Sequence, residues 1–359
     1  MNQYMNKKKT AIYVILLAIL TLFIYTALFK DQDIHKIFDV LISANPSIII
    51  AASLLIILFI LCEAFNINLL LKSMRYNTSL FHSIKYAITG FFYSSITPSS
   101  TGGQPMQLYK MKKDGINLSH GTLILLVELA CFQTVTLIFS GIAIAWMSIS
   151  NSQITNVVKF LAYLGFAINT SILIGIWTSI FSKKFLEKIY IIAKFLINKS
   201  FFISEIKKKD LSDSVKKNLN KYNQCSEFLK KQPLLFLKCL SITFIQVIGL
   251  FSIPYLVYLA LNQNSTSFVN MFMMQSIVYS ASSFIPLPGA SGVSESNYMK
   301  IFSKIYSLDV LNSAVLLTRF VNFYFPVILS LGVLLCIQIA SKKSKLDKMN
   351  CLSTNKDRQ

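Results

Sequence analysis

Four ionisable side chains stand within or beside long apolar stretches of this sequence: Glu63, Glu128, Glu295 and Arg319. A charge at the centre of a bilayer costs at least about 2.5–3.5 kcal/mol on insertion scales, so each one demands a partner or a polar cavity. Arg319 is the only arginine in an apolar run, and a guanidinium suits bidentate contact with a carboxylate or a phosphate. Two readings follow. In one, Arg319 lines a headgroup site with Glu128 and Glu295 as counter-charges; in the other it neutralises one of those carboxylates inside the bundle. Glu63, close to the cytoplasmic end of its run, reads as structural. The three histidines and six single cysteines show no metal-ligand or disulfide spacing. Nucleophilic triads, Walker loops and dinucleotide fingerprints do not appear either. No catalytic residue, resident metal or cofactor is expected, and an ATP-driven pump is excluded for this chain alone.

The charged residues are joined by two glycine- and proline-rich interruptions. The first reads Thr97-Pro98-Ser99-Ser100-Thr101-Gly102-Gly103-Gln104-Pro105, and the second Pro286-Leu287-Pro288-Gly289-Ala290-Ser291-Gly292-Val293-Ser294-Glu295. Each follows a short apolar stretch (84–97 and 267–285) and leads into a long one bearing Glu128 or Arg319. An internal repeat offset by about 190 residues accounts for the match. Unwound backbone at membrane depth is tolerated only where protein buries it or a polar cavity hydrates it. Helix starts at such breaks present N–H groups that suit anionic ligands.

The elements that must position these residues follow from composition. Of 359 residues, 54% are hydrophobic and 14% charged, with a mean hydropathy of +0.56. Soluble domains carry roughly 25% charged residues, so a water-soluble enzyme is a poor fit. Apolar runs long enough to span a bilayer occur at 11–29, 47–71, 119–147, 158–181, 233–261 and 308–340. The fold expected is an all-α polytopic membrane protein with about six full spans and two re-entrant, broken helical hairpins in an inverted repeat. Residues 1–340 form the membrane domain, with repeats at about 47–147 and 233–340, and 341–359 form a disordered tail. The segment 182–232 reads as amphipathic helix on the inner membrane surface.

Charge sets the orientation. Of 35 Lys and Arg, 28 fall in the N-terminus, 72–113, 182–232 and 341–359, leaving only Lys30 and Lys36 in the opposite loops. By the positive-inside rule both termini lie in the cytoplasm of a plasma membrane. The net charge of +20 is then a topology signal and a face suited to anionic lipids, not a nucleic-acid footprint.

At these residues the chain resembles the flippase-like transmembrane domain of lysylphosphatidylglycerol synthases, as in the multiple peptide resistance factor, over roughly residues 10–340. The motif residues are Thr97-Pro98, Gly102-Gly103-Gln104-Pro105, Glu128, Pro286, Pro288-Gly289, Gly292, Glu295 and Arg319. Many relatives carry an acidic residue after the glycine, where this chain has Gly103-Gln104. The resemblance implies translocation of an aminoacylated or other polar phospholipid between leaflets, a homodimer, and resistance to cationic antimicrobial peptides. It makes Pro98, Gly102, Gly103, Gln104, Glu128, Pro288, Gly289, Gly292, Glu295 and Arg319 the candidate substrate contacts. Full-length family members add a cytosolic domain that transfers lysine from lysyl-tRNA. This sequence ends 19 residues after Ala340, so lysyltransferase activity, or service as the membrane subunit of a separate synthase, is the alternative. Only under that alternative is a nucleic acid, the tRNA, a partner.

Overall fold

The computed structural model describes residues 34–97, 100–149, 154–199, 205–285 and 287–339; the expected first span at 11–29 and the tail at 341–359 lie outside them. A short helix, α1 (Ile34–Ile42), precedes the first long one, α2 (Pro46–Ser73). Asn45 caps α2 by accepting the Ser47 N–H at 3.0 Å, and Pro46 sits at its first turn, where a missing N–H costs nothing. A broken hairpin follows, α3 (Leu80–Ile96) and α4 (Gly103–Lys113), and then the long α5 (Leu118–Ile149). Next come α6 (Asn156–Phe181), α7 (Lys183–Lys199) and α8 (Glu205–Lys230). The same order then recurs: long α9 (Pro233–Ala260), a hairpin of α10 (Phe268–Ser282) and α11 (Val293–Phe302), and long α12. The last begins as Leu308–Arg319, passes through a π turn at Phe320–Tyr324 and continues as helix to residue 339.

Five of these helices, α2, α5, α6, α9 and α12, are long and apolar enough to cross a membrane. Each is apolar around most of its circumference, as a helix must be when one side meets protein and the other meets lipid. Ile50, Leu54, Phe160, Ile174, Leu234, Leu237 and Ile328 point outward, while α5 is the most enclosed of the five. Helices α3 and α10 have 17 and 15 residues. At 1.5 Å per residue they reach roughly 26 and 23 Å, short of a full crossing.

Cross-links between elements fix which ends lie together. At one end, Asn45 N–H donates to Ala260 O at 2.8 Å and Ser313 Oγ to Ile37 O at 3.3 Å, joining the start of α2, the end of α9, the start of α12 and α1. At the other, Ser119 Oγ donates to Asn218 O at 2.8 Å, and Tyr222 Oη to Ser179 O at 3.2 Å, joining the start of α5, α8 and the end of α6. Burial of the Tyr222 ring against these helices pushes its phenol up to about 12. Each end has its own apolar core. Ala52, Met147, Val257, Phe302 and Leu311 fill the first, and Leu70, Tyr86, Met111, Leu123, Ile180 and Leu229 the second. The lysine-rich α7 and α8 cap the second end, where α3 and α4 also enter; α10 and α11 enter from the first. The segment 182–232, expected to be amphipathic, forms α7 and α8, tied to the bundle by Lys230 Nζ on Phe181 O at 2.8 Å.

Candidate functional site

The second interruption is a compact knot around Arg319. Gly289 takes φ +56° and Gly292 φ +86°, values that L side chains rarely adopt. A Cβ on Gly289 would also collide with the ring of Phe323. These two bends carry the chain through a 3-10 turn at Pro288–Ala290 and start α11 beside α12. Arg319 Nη2 then donates to Gly289 O at 2.8 Å and to Ser291 Oγ at 2.7 Å, and its Nε lies 2.9 Å from Glu295 Oε1. Its guanidinium carbon sits 4.4 Å from the centre of the Phe323 ring, a cation–π contact. Glu295 Oε2 accepts the Gly292 N–H at 2.7 Å and the Ser294 hydroxyl at 2.9 Å. With the two side chains 12% and 4% exposed, this is a buried ion pair whose members are each hydrogen-bonded to the surrounding loop. One N–H at the start of α11, that of Gly292, is taken by the protein's own carboxylate. The π turn starts one residue after Arg319 and rotates the rest of α12, bringing Phe323 under the guanidinium.

The first interruption is held by neutral groups. Thr97 Oγ1 donates to Tyr93 O at 2.6 Å and accepts the Gly102 N–H at 2.9 Å, so one hydroxyl ends α3 and begins α4. Gly103 is buried against Ser94 and the Gly90 carbonyl, with no room for a side chain. Pro98 lies outside the described residues, as does Pro286. Gln104 is exposed on the first turn of α4, and the buried amide is Gln107, one turn on. Its side chain passes over α3 where Gly90 has no Cβ and donates Nε2 to Glu63 Oε1 at 2.5 Å.

Glu63 on α2 and Glu128 on α5 are the other carboxylates of the interior, both half-buried. Among the described residues no ion pair reaches either carboxylate. Two expectations are corrected here. Glu128 does not serve as counter-charge to Arg319, because the two lie in opposite halves of the bundle, each roughly 8 Å before the middle of its helix. Glu63 is not at a helix end: α2 runs on to Ser73, which leaves Glu63 only roughly 5 Å past the midpoint. The candidate residues therefore fall into two groups. Pro288, Gly289, Gly292, Glu295 and Arg319 come together at one knot. Gly102 and Gly103 shape the hairpin that carries Gln107 to Glu63, and Glu128 lies on α5. The 3-10 turn of the second group packs on α3 of the first.

Gly90, Gln107, Asn66 and Thr243 were missed in the sequence. Asn66 Nδ2 donates to Thr243 Oγ1 at 3.0 Å, joining α2 to α9 in the interior. A signal for two of them existed: the offset of 190 pairs Gln107 with Asn297 and Gly90 with Ser280. Asn297, also buried, donates to Ala281 O at 3.3 Å and Ser282 Oγ at 3.0 Å, closing the second hairpin as Gln107 crosses the first.

Residues 11–330 match the family model described as lysylphosphatidylglycerol synthase TM region. The chain is also similar to a UPF0104 membrane protein of Archaeoglobus fulgidus, with 26% identity over 312 residues covering 83% of this chain and 88% of that protein.

Proposed function

Because the chain belongs to the family of lysylphosphatidylglycerol synthase transmembrane regions, we propose that this multi-pass membrane protein moves a polar phospholipid headgroup, of the lysyl-phosphatidylglycerol type, between leaflets. The observation that carries the reading is the pair of broken hairpins entering from opposite ends and meeting where the 3-10 turn at Pro288–Ala290 packs on α3. A carrier that exposes one site to two sides needs such paired elements, with irregular backbone at the depth of the site. Arg319 is the natural contact for a lipid phosphate. It is held by Glu295, two oxygens of its own loop and a ring, so an incoming phosphate would exchange for the carboxylate and loosen the second break. Gly289 and Gly292, with Pro288 in the same break, would let that loop move, and Glu128 would face the headgroup from the other half. Gly102, Gly103, Gln104 and Pro98 would border the path at the first break. The end carrying α7 and α8 faces the cytoplasm of a cell membrane in this reading, since their lysines suit anionic lipid headgroups.

The test is a leaflet-accessibility assay in proteoliposomes with fluorescent phosphatidylglycerol and lysyl-phosphatidylglycerol. Wild-type protein should translocate at least one of them, and Arg319→Ala should abolish it. Folded wild-type protein that moves neither lipid overturns the proposal.

A further inference from the structure

Between the first end of the bundle and the Arg319–Glu295 pair runs a line of buried polar groups that no described residue satisfies. They are the hydroxyls of Tyr306, Tyr298 and Thr318 and the Nε–H of Arg319. The three hydroxyl-bearing residues are between 4% and 6% exposed. Helix α11 runs outward from the break and α12 returns past it, so Glu295 stands beside Arg319, and Tyr298, one turn further out, beside Thr318. The Tyr298 ring stacks on Phe302 at 4.1 Å, Phe302 leads to Tyr306 at 6.4 Å, and Tyr306 meets Tyr258 edge-on at 5.4 Å. This ring stack holds the Tyr298 hydroxyl close to those of Thr318 and Tyr306, without the geometry of a hydrogen bond. At the outer end, Tyr258 Oη and Ser265 Oγ are 2.8 Å apart, and Ser265 is exposed in the loop after α9. Leaving buried hydroxyls unmet is costly, and phenylalanine would fill the two tyrosine positions without that cost. Groups so placed suit bridging water, which takes about three such partners. Because a hydroxyl turns to donate one way and accept the other, the line can pass a proton along its length.

We propose that this line of hydroxyls and water carries one proton from the first end to Glu295 each time Arg319 exchanges that carboxylate for a lipid phosphate. The proposal rests on the headgroup reading above and adds its coupling ion. A phosphate on Arg319 strands Glu295, which is 4% exposed, without its counter-charge. A buried charge left alone is strongly disfavoured, and protonation removes it. One O–H bond forms on Glu295 as one breaks on the neighbouring water or hydroxyl. Each member is reprotonated by the next, out to bulk water at Ser265. The phosphate brings one negative charge and the proton one positive, so loading leaves the charge around Arg319 unchanged. The neutral acid still accepts the Gly292 N–H. Helices α10, α6 and α12 pack on α11, and of their ionisable side chains Arg319 is the one on Glu295. Tyr279 of α10 turns to Phe251 at 5.3 Å, Tyr163 of α6 to Ser148 at 3.4 Å, and Tyr324 of α12 to the cluster around Phe92. Lys159 and Asp309 stand in the first turns of α6 and α12, at the first end, and Lys300 of α11 is exposed.

The test mixes the purified full chain, in lightly buffered detergent, with dihexanoyl phosphatidylglycerol or its lysyl ester and follows proton uptake with a soluble pH dye in stopped flow. Wild type should take up about one proton per chain at saturation, and Glu295→Gln none. Tyr298→Phe and Tyr306→Phe keep the ring stack and remove only the hydroxyls. Their uptake should reach the wild-type amplitude, at a rate lower by about tenfold or more. Since neither hydroxyl makes a hydrogen bond to a described residue, both variants should unfold at the wild-type temperature, which keeps the test open where Glu295→Gln does not fold. A purely structural role for the tyrosines would not separate rate from amplitude. Proton uptake by a protein that moves neither lipid across a vesicle supports the proton route and removes the carrier reading. Wild type that takes up no proton overturns the proposal whether or not it moves lipid, as do Phe variants as fast as wild type.

Discussion

The two broken hairpins share an element order and differ in how their charge is handled. At the second, Arg319, Glu295, Gly289 O, Ser291 and Phe323 satisfy one another within a few ångströms. At the first, Gln107 donates to Glu63, no ion pair reaches Glu63 or Glu128 among the described residues, and the break itself is closed by the Thr97 hydroxyl. One half is electrostatically complete and the other is not. Here Arg319 corresponds to the position after Glu128 but sits in the opposite half of the bundle, because the repeat is inverted. The comparison teaches that the second break is a latch held by an ion pair, while the first is held by neutral hydrogen bonds.

Breaking the latch should have the largest effect. Removing one member of a buried ion pair costs about 3–5 kcal/mol, because the other charge is left uncompensated. Arg319→Ala should therefore lower the thermal unfolding midpoint in detergent steeply, and the double variant Arg319→Met with Glu295→Leu should recover much of the loss. A single variant as stable as wild type would mean that the pair is not closed. Next comes Gly289→Ala. A residue held at positive φ costs about 1–3 kcal/mol, and its Cβ would also press on the Phe323 ring. The same change at Gly90 should cost less, since there it meets only the flexible end of Gln107. Equal losses at Gly90 and Gly289 would show that the first hairpin is as rigidly specified as the second.

Glu128→Gln sharpens the contrast. It breaks no ion pair among the described residues, so it should change stability by less than about 1 kcal/mol, read from thermal unfolding in detergent. Glu295→Gln should destabilise. A Glu128→Gln variant that unfolds as early as Glu295→Gln would erase the distinction between the halves. The smallest effect is expected outside both, at the exposed Lys183–Glu227 pair of 2.5 Å. Lys183 holds the Glu227 carboxyl below its ordinary range. Its contribution is thus present above the ordinary carboxylate pKa and lost as pH falls through the lowered one. Solvent screens the pair, and Lys183→Ala should leave the acid limb of a pH–stability profile nearly unmoved.

Much of this was legible in the residues. The apolar runs 47–71, 119–147, 158–181, 233–261 and 308–340 each became a helix with ends within a few positions, because span length is set by bilayer thickness and hydropathy is local. The two interruptions were marked by glycine and proline, whose backbone preferences act wherever they stand. The glycines at 289 and 292 do sit at positive φ. The membrane class, the helical fold and the pairing of two breaks followed from sequence alone.

Which charges meet is another matter. Glu295 and Glu128 were equally available to Arg319 by spacing. Only the opposed entry of the hairpins, fixed by the Asn45–Ala260 and Ser119–Asn218 cross-links at the two ends, puts Glu295 beside it and Glu128 beyond reach. Likewise Gln107 looked like any surface amide until Gly90 opened a notch beneath it and brought it to Glu63. Hydropathy and backbone preference are properties of a residue and its neighbours in the chain. Pairing of buried charges depends on distances between helices, and those exist only once the helices have packed.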